Sequence, residues 1–363
     1  MARRTTKKAG KASGLGQLII PLTALGILLL FNLIRDPGFF AIRMAVNNNG
    51  NNVLSGNLIS IIDSASALAI IAMGMTLVTA SCGGQDISVG AVGAIAGAFF
   101  VKVANAGDSI TAGSILLGFF VCILGTIAFK LFNGSLVAVF RIQPMIATLI
   151  LFSCGRSIAY WINGSATPQL ASPIIRAIGM TIPGIPIPTP IFAVILVGII
   201  LALVFKFTNM RLYTQSVGVN QGAARLNGIN PTVIKLISFV LLAVCVAVAA
   251  VIEVSRLGQL NHKTLLVDIE MDAILAVAIG GNNLGGGRFR LAGSIMGAYI
   301  IQMLTTTLYA MNVSPVNVKA YKAIVIIIIV VAGSPVIKNR ITALANRVRA
   351  GRNVAAAGRG WSK

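Results

Sequence analysis

Acidic residues are scarce in this 363-residue chain, which holds only eight Asp and Glu and a single histidine. Enzymes that move protons or activate nucleophiles rely on these side chains. No HExxH, GxSxG or His/Cys cluster occurs, and His262 beside Lys263 is expected to be a solvated loop residue. Asp63 and Asp86 fall at opposite ends of one apolar run, too far apart to share a proton. The sequence therefore predicts that the chain is not an enzyme.

Cysteine and aromatic residues are also few. Cys82, Cys122, Cys154 and Cys245 lie in or beside apolar runs without CxxC spacing, so we expect small buried side chains rather than disulfides or metal ligands. Five tyrosines and two tryptophans are too few for base stacking. Because no GxxxxGK[ST] motif is present, we expect no ATP site and no cofactor in this chain.

The net charge of +21 is concentrated near the ends of the chain. The basic residues before the first and after the last apolar run are Arg3, Arg4, Lys7, Lys8, Lys11, Lys338, Arg340, Arg347, Arg349, Arg352, Arg359 and Lys363. Basic residues at membrane borders fix the orientation of a protein and attract anionic lipid. This placement predicts contact with membrane lipid and not with nucleic acid.

Hydrophobic residues make up 56% of the chain, and the mean hydropathy is +0.91. A soluble domain lacks the charged surface to cover so much apolar sequence. Ten apolar runs approach the length that crosses hydrocarbon; they cover 17–34, 58–81, 87–106, 113–133, 144–164, 190–207, 232–254, 270–282, 291–311 and 318–336. The first follows a basic region like a signal peptide, but its length predicts a retained span. The fold class predicted is an all-α polytopic membrane protein.

An even number of spans places both termini on one side. With the termini in the cytoplasm, the tails and inner loops, where we place Lys130, hold 20 of the 29 basic residues. We therefore predict a basic cytoplasmic tail over 1–16, a transmembrane domain over 17–336, and a second basic cytoplasmic tail over 337–363. Residues 339–350 are expected to form either an interfacial helix or a disordered basic tail.

Two glycine-rich motifs echo each other, "GGQDISVG" at 83–90 and "GGNNLGGG" at 280–287. Each is followed by a small-xxx-small pattern, Gly93/Gly97 and Gly293/Gly297, which permits close helix approach. They are either equivalent broken helices of a duplicated transporter or glycine turns that arose separately. The predicted topology puts both motifs on one side, whereas an inverted repeat would separate them. The short run 270–282 suggests a half-helix or re-entrant piece.

Asp86 lies inside the first motif, where Gly83, Gly84 and Gly90 allow a tight turn. Without a partner acid or histidine, Asp86 is interpreted as a helix N-cap with Ser88 in the first turn. Asn283 stands at the corresponding place in the echo, so the charge itself is expected to be dispensable. We therefore expect Asp86→Asn largely to preserve folding and transport.

The candidate ionisable residues within the spans are Lys102, Arg156 and Glu253, the last near an outer boundary. Snorkelling or pairing explains them as well as a proton relay does. A passive or ATP-partnered pathway is therefore favoured over an ion-driven one. Candidate lining groups near span ends, each of which equally suits a helix cap, are Ser81, Gln85, Asn133, Gln143, Asn282 and Asn283.

The longest inner loop reads "SVGVNQGAARLNGINPTVIKL" over 216–236. A short helix ended by Gly228 is predicted there, with a second helix opening near Pro231. The short helix suits docking into a groove on another protein, and an ordinary helix–turn between spans fits equally well.

Four long stretches carry a family resemblance, in the order expected: "MGMTLVTASCGGQDISVGAVGAIAG", "IQPMIATLILFSCGRSIAYWINGS", "SVGVNQGAARLNGINPTVIKL" and "MDAILAVAIGGNNLGGGRFRLAGSIMGAYIIQ". Over residues 58–335 the chain resembles the permease subunits of ribose-type ATP-binding-cassette sugar importers. "IQPMIATLIL", "DAILAVAIGG" and "GGRF" look most similar to galactofuranose permeases. The chain departs from the commoner "GGIDLSVG" at Gln85 and Ile87, and Gln85 puts local packing or pathway polarity in doubt.

The resemblance implies a pathway for a pentose or hexose built from two permease subunits, identical or related, in a bacterial inner membrane. Two cytoplasmic ATPases would bind the ATP, and a periplasmic sugar-binding protein would face the proline-rich segment 165–190. It also makes 216–236 the coupling segment, and Ala224→Glu is expected to abolish ATPase binding. Carried over residue by residue, the coupling role falls on Ala223, Ala224, Arg225 and Gly228, and the motif on Gly83, Gly84, Asp86, Ser88 and Gly90.

Three other functions remain open at this point. A branched-chain amino-acid permease of the same superfamily would differ in its cargo. A channel or facilitator would need no ATPase, and a membrane scaffold would carry no cargo.

Overall fold

The computed structural model describes residues 19–46, 52–107, 109–164 and 166–333. This part of the chain forms thirteen helices: α1 (Ile19–Arg35), α2 (Asn57–Cys82), α3 (Val89–Ala104), α4 (Ala112–Ala138), α5 (Pro144–Ile162), α6 (Pro173–Gly179), α7 (Thr189–Phe207), α8 (Met210–Val219), α9 (Gln221–Leu226), α10 (Pro231–Leu257), α11 (Ile269–Ile279), α12 (Leu291–Ala310) and α13 (Pro315–Gly333). Strands β1 (Arg43–Val46) and β2 (Asn52–Ser55) pair as an antiparallel hairpin. The predicted tails and the segment 339–350 lie outside the described residues.

Within the described residues, each of the ten predicted apolar runs contains a helix, which confirms the all-α polytopic fold class. Six helices of the described chain are long and apolar enough to cross a membrane, namely α2, α4, α5, α7, α10 and α12. Helix α11 has only 11 residues and is about 16 Å long, roughly half of a bilayer's hydrocarbon thickness. The prediction of a short helix in this region is therefore confirmed.

Helices α2 and α10 form the centre of the bundle. The residues of α2 from Ala65 to Ser81 are all buried, and α10 packs along them. Gly74 of α2 permits the close approach, since a Cβ there would lie 2.9 Å from Leu242 Cδ1. The apolar side chains of these two helices are mostly buried against other parts of the protein, whereas α4, α5 and α7 also present apolar faces outward.

Helix α3 is the second half of a broken span. The predicted span began at residue 87, but the structure keeps 83–88 non-helical although most of this segment is buried. Gly84 lies against Pro144 at the start of α5, while Ala91 lies against Gly155, about 16 Å farther along that helix. The chain therefore crosses about half of the bundle before α3 begins.

The glycines of α3 and α12 pack against different kinds of neighbour. Gly293 and Gly297 bring α12 onto the backbone of α11 at Gly280 and Ala276, as the small-xxx-small pattern predicts. On α3, Gly93 and Gly97 instead accommodate leucines of the non-helical segment 260–266 and Val254 of α10. The same pattern thus supports a helix contact in one place and a loop contact in the other.

Two of the basic residues counted in the inner loops are buried within long helices instead. Lys130 is fully buried in α4, and Lys235 is nearly buried in α10. Their charges therefore do not count toward the inner-loop excess. The loops also hold structure that the sequence did not predict: the β1–β2 hairpin, and α6, whose Gly179 packs against the backbone of Arg256.

We expect Gly297→Ala to destabilise the bundle, because the added methyl group would overlap the carbonyl of Ala276 on α11. Overpacking of this kind costs about 1–3 kcal/mol. The measurement is the thermal unfolding midpoint of the purified protein in detergent. Gly26→Ala in α1, where nothing lies within 4 Å of the new atom, is the matched control and should be neutral or slightly stabilising. Equal midpoints for the two variants would contradict the packing described.

Candidate functional site

A fully buried ion pair lies at the break before α3. Lys130 Nζ of α4 donates to Asp86 Oδ2 at 2.7 Å, and both side chains have 0% exposure. Asp86 Oδ1 accepts from the backbone N–H of Ser88 at 2.8 Å and from its hydroxyl at 2.7 Å. The Ser88 hydroxyl oxygen in turn accepts from Lys130 Nζ at 3.0 Å and from Asn133 Nδ2 at 2.9 Å. These four side chains, here called the break cluster, join the non-helical segment to α4.

The interpretation of Asp86 as a helix N-cap is wrong. The N-cap of α3 is Ser88, two residues later, and Asp86 instead holds a local side-chain-to-backbone turn. The inference that its charge is dispensable also loses its basis, because the carboxylate is the partner of a buried ammonium. Sequence reasoning missed the pair because Lys130 is 44 positions away and was assigned to a loop. The sequence did hold one signal for the pair, since opposite charges within apolar runs usually pair with each other.

The remaining backbone of the break is also satisfied by side chains. Thr148 of α5 accepts from the Ile87 N–H at 3.1 Å. Gln85 Nε2 donates to the Leu284 carbonyl at 2.9 Å, a bond that an isoleucine at this position has no group to make. The departure at Gln85 therefore adds a link to the second glycine motif.

The two glycine motifs touch each other at the end of the bundle that carries α8. Gly286 lies against the backbone of Gly83, and the Gly287 N–H donates to the Ala80 carbonyl at 3.0 Å. Gly218 of α8 packs onto the same Ala80 carbonyl and the Gly287 nitrogen. The backbones at Gly83, Gly218, Gly286 and Gly287 form what we call the glycine joint. Both motifs lie at one end, as the topology predicted, which contradicts an inverted-repeat relation between them.

Most of the side chains predicted to line a pathway are buried within the protein instead. Ser81, Gln85, Asn133 and Asn282 are buried, whereas Gln143 and Asn283 are exposed. Asn282 accepts from the Arg290 N–H at 2.7 Å and donates to the Ser294 hydroxyl at 2.9 Å. It therefore organises the turn between α11 and α12.

Arg156 of α5 binds the non-helical segment that precedes α11. Its Nη1 donates to the carbonyl oxygens of His262 and Leu265, each at 2.9 Å, and Nη2 reaches the Leu266 carbonyl at 3.4 Å. Pairing was one of the two explanations offered for this residue, and the partners are backbone carbonyls. The carbonyl oxygens of a segment without helical hydrogen bonds thus receive their donors from one guanidinium.

His262 is not the solvated loop residue that was expected, since its exposed fraction is only 8%. Its ring centroid lies 4.6 Å from that of Tyr160 on α5. Burial, together with the positive charges of Lys263 and Arg156, lowers the pKa of His262 below its usual range. The neutral form of the imidazole is therefore favoured.

The other ionisable residues predicted within the spans are either paired or exposed. Arg256 Nη1 pairs with Glu253 at 2.8 Å, and its Nη2 pairs with Asp63 at 3.1 Å. Asp63 and Asp86 lie at opposite ends of α2, as predicted. Lys102 lies exposed in the last turn of α3. Neither Asp63 nor Glu253 therefore forms an acid pair with Asp86.

The coupling segment folds as predicted, into a short helix followed by α10 from Pro231. Asn220 caps α9 by accepting from the Ala223 N–H at 3.0 Å, and Gly228 adopts a φ of 77° in the following turn. Ala223, Arg225 and Gly228 are exposed.

Ala224, however, points into the chain. It is only 3% exposed and packs with Met210, Val217 and Ile234. Ala224→Glu would therefore disturb the chain's own packing, and it does not test docking as intended. Leu226 on the same helix is 91% exposed.

We expect Asp86→Asn to destabilise the protein by about 3–5 kcal/mol, because it leaves the Lys130 ammonium buried without a counter-charge. The measurement is thermal unfolding of the purified protein, together with the yield of folded protein. Combining it with Lys130→Met should recover much of the loss, since replacing a whole buried pair is often neutral.

The control is Asp268→Asn, which removes the carboxylate of the exposed pair with Lys319 and should cost no more than about 1 kcal/mol. If Asp86→Asn unfolded at the same temperature as this control, the importance assigned to the buried charge would be refuted.

Comparison with known proteins places the chain in a family. Residues 57–332 match the family model described as branched-chain amino acid transport system / permease component. The galactofuranose transporter permease protein YtfT of Escherichia coli (strain K12) is 36% identical, over 86% of this chain and 88% of its own length. The fructose import permease protein FruF of Bifidobacterium longum (strain NCC 2705) is 34% identical, over 88% of each chain.

The ribose import permease protein RbsC of Escherichia coli (strain K12) is 31% identical, over 85% of this chain and 91% of its own. No solved structure matches the chain. The family model covers the chain from the start of α2 into the last turn of α13, including both glycine motifs and the segment 216–236. The chain therefore belongs to this family of permease components, in its ribose-type sugar-importer branch, and is a multi-pass inner-membrane transport subunit rather than an enzyme.

Proposed function

We propose that the chain forms the pathway for a monosaccharide, a pentose or hexose, in an importer driven by partner ATPases. The observation that carries this proposal is the set of relatives: permeases named for galactofuranose, fructose and ribose align with this chain over most of their lengths. The galactofuranose permease makes that sugar the first candidate cargo. Because the chain holds no phosphate-binding loop, ATP would be bound by two cytoplasmic partner subunits.

The glycine joint supports alternating access driven from α8 and α9. Gly218 of α8 contacts the end of α2 at Ala80 and the second motif at Gly287. These contacts are between backbones, so little side-chain flexibility is available to absorb a displacement. A push on α8 by an ATPase would therefore reach α2 and the turn between α11 and α12 together.

The charge at this end supports a cytoplasmic location for α8 and α9. Arg211 and Arg225 are exposed on α8 and α9, and Arg288, which follows Gly287 of the joint, is exposed as well. Cytoplasmic loops carry the excess of basic residues in membrane proteins. In this orientation the hairpin and residues 166–190 would face the opposite side, where a periplasmic sugar-binding protein would deliver its cargo. The second permease subunit, identical or related, would complete the pathway.

We expect ATP-dependent uptake of a sugar by proteoliposomes that contain this chain, its ATPase and its binding protein. Labelled galactofuranose, ribose, fructose and leucine are compared with and without ATP. Uptake of leucine alone would favour the branched-chain amino-acid alternative suggested by the family description. Sugar uptake that did not require ATP would favour a facilitator and overturn the importer.

We expect Leu226→Glu to lower ATPase binding at least about tenfold, because it places a carboxylate on the most exposed apolar side chain of α9, at the centre of a small docking contact. The measurement is co-purification of the ATPase with the tagged permease. Ile185→Glu, an equivalent change on an exposed residue of the segment 165–190, is the control and should bind normally. Undiminished binding by Leu226→Glu would argue against docking at α9.

A further inference from the structure

The outward faces of α4 and α7 are apolar along their length. Their large exposed hydrophobic residues are Leu116, Leu117, Phe120, Leu124 and Phe132 on α4, and Phe192, Ile195, Leu196, Ile199, Ile200, Leu203 and Phe207 on α7. Such faces suit lipid hydrocarbon, which asks for no hydrogen-bond partners. The surfaces of α4 and α7 therefore show the composition of a lipid-facing helix in this protein.

Helix α5 breaks this pattern along one side. Ser153, Arg156, Ser157 and Tyr160 recur at helical spacing, and we call them the polar face of α5. Ser153 and Ser157 are exposed, Tyr160 is 40% exposed and Arg156 is half-buried. Next to this face, α5 and α4 enclose an apolar groove, lined by Ala128, Phe129, Phe132, Ile150, Leu151 and Cys154. The two sides of α5 therefore meet different surroundings.

The polar face is unsuited to lipid. Among the described residues, the hydroxyls of Ser157 and Tyr160 donate to no protein acceptor, whereas the Ser153 hydroxyl donates to the Leu149 carbonyl. Polar groups without partners are costly in hydrocarbon. Tyr160 alone would fit an interfacial aromatic belt, as Trp161 does, but the serines near the middle of the helix do not.

A second observation points to a ligand at the same place. Two buried polar atoms behind the polar face, His262 Nδ1 and Glu270 Oε2, have no hydrogen-bond partner among the described residues. The His262 ring packs on Tyr160, and Glu270 Oε2 and Arg156 Nη2 flank the same point beside Gly90. Buried polar atoms are normally satisfied, so unpaired polar atoms here indicate a site that exchanges partners with water or cargo.

We propose that the polar face of α5 lines the water-filled passage and that Ser153, Ser157 and Tyr160 contact the hydroxyl groups of a polyhydroxylated cargo. The identity of that cargo rests on the sugar-import function proposed above. The Tyr160 ring supplies an apolar surface for the C–H groups of such a ligand. Arg156 is a positioning residue, because its guanidinium holds His262 and Leu265 against the face through their carbonyls.

The first experiment measures water access and needs no sugar. Single cysteines are placed at Ser153 and Ser157, with Ile195→Cys and Ile199→Cys on α7 as exposed controls, in an assembled transporter whose four native cysteines are replaced by alanine. A water-soluble methanethiosulfonate should label the α5 positions at least about tenfold faster, because the thiolate that reacts forms in water.

Labelling of the α5 positions as slow as that of the α7 controls would overturn the proposal. Oxidative cross-linking of Ser153→Cys between two copies, without labelling, would overturn it as well, because the face would then be a packed subunit contact.

The second experiment tests cargo contact. Transported sugar should protect Ser157→Cys from labelling, and Tyr160→Phe should raise KM for uptake about tenfold with little change in kcat, as expected for one lost hydrogen bond. Ile199→Ala on α7 is the control and should leave KM unchanged. Unaltered KM in Tyr160→Phe together with absent protection would refute cargo contact. Fast labelling in a protein that moves no sugar would instead refute the sugar cargo and retain the passage.

Discussion

The pairing of Lys130 with Asp86 is the interaction on which the broken span depends. A helix that begins inside an apolar bundle leaves backbone N–H groups and a non-helical approach without intrahelical partners. Asp86 satisfies Ser88, Thr148 satisfies Ile87, and Lys130 neutralises the carboxylate that makes the turn possible. The charge is thus a means of building a non-helical crossing inside the packed bundle, and its cost is offset by the ammonium and two further hydrogen bonds.

From that break the arrangement of the molecule follows in both directions. Toward α8, the extended chain delivers Gly83 and Gln85 to the second motif, where contacts between backbones replace contacts between side chains. Toward the other end, α3 begins at the depth of Arg156 and Gly155, and it presents its glycines to the segment before α11. One interruption therefore links the end that carries α8 and α9 to the segment held by Arg156.

The sequence predicts the helices well, because the length of an apolar run is a local property. The short helix before Pro231 was also predictable, since its end depends on neighbouring residues such as Gly228. The partners of Asp86 and the inward orientation of Ala224 were not predictable, because they depend on residues brought together only by folding. His262 was misplaced for the same reason: its burial comes from Tyr160, which is distant in sequence. Local sequence patterns thus predict the helices, whereas the contacts of the site form only when the helices pack together.

The break cluster has an electrical consequence. Moving one elementary charge through a membrane potential of 100 mV involves about 2.3 kcal/mol. Asp86 and Lys130 are in contact at 2.7 Å, so they move as a neutral dipole whenever α3 and α4 shift together. A rearrangement that keeps this pair intact displaces no net charge from it across the bilayer. Motion of this pair therefore draws no energy from the membrane potential.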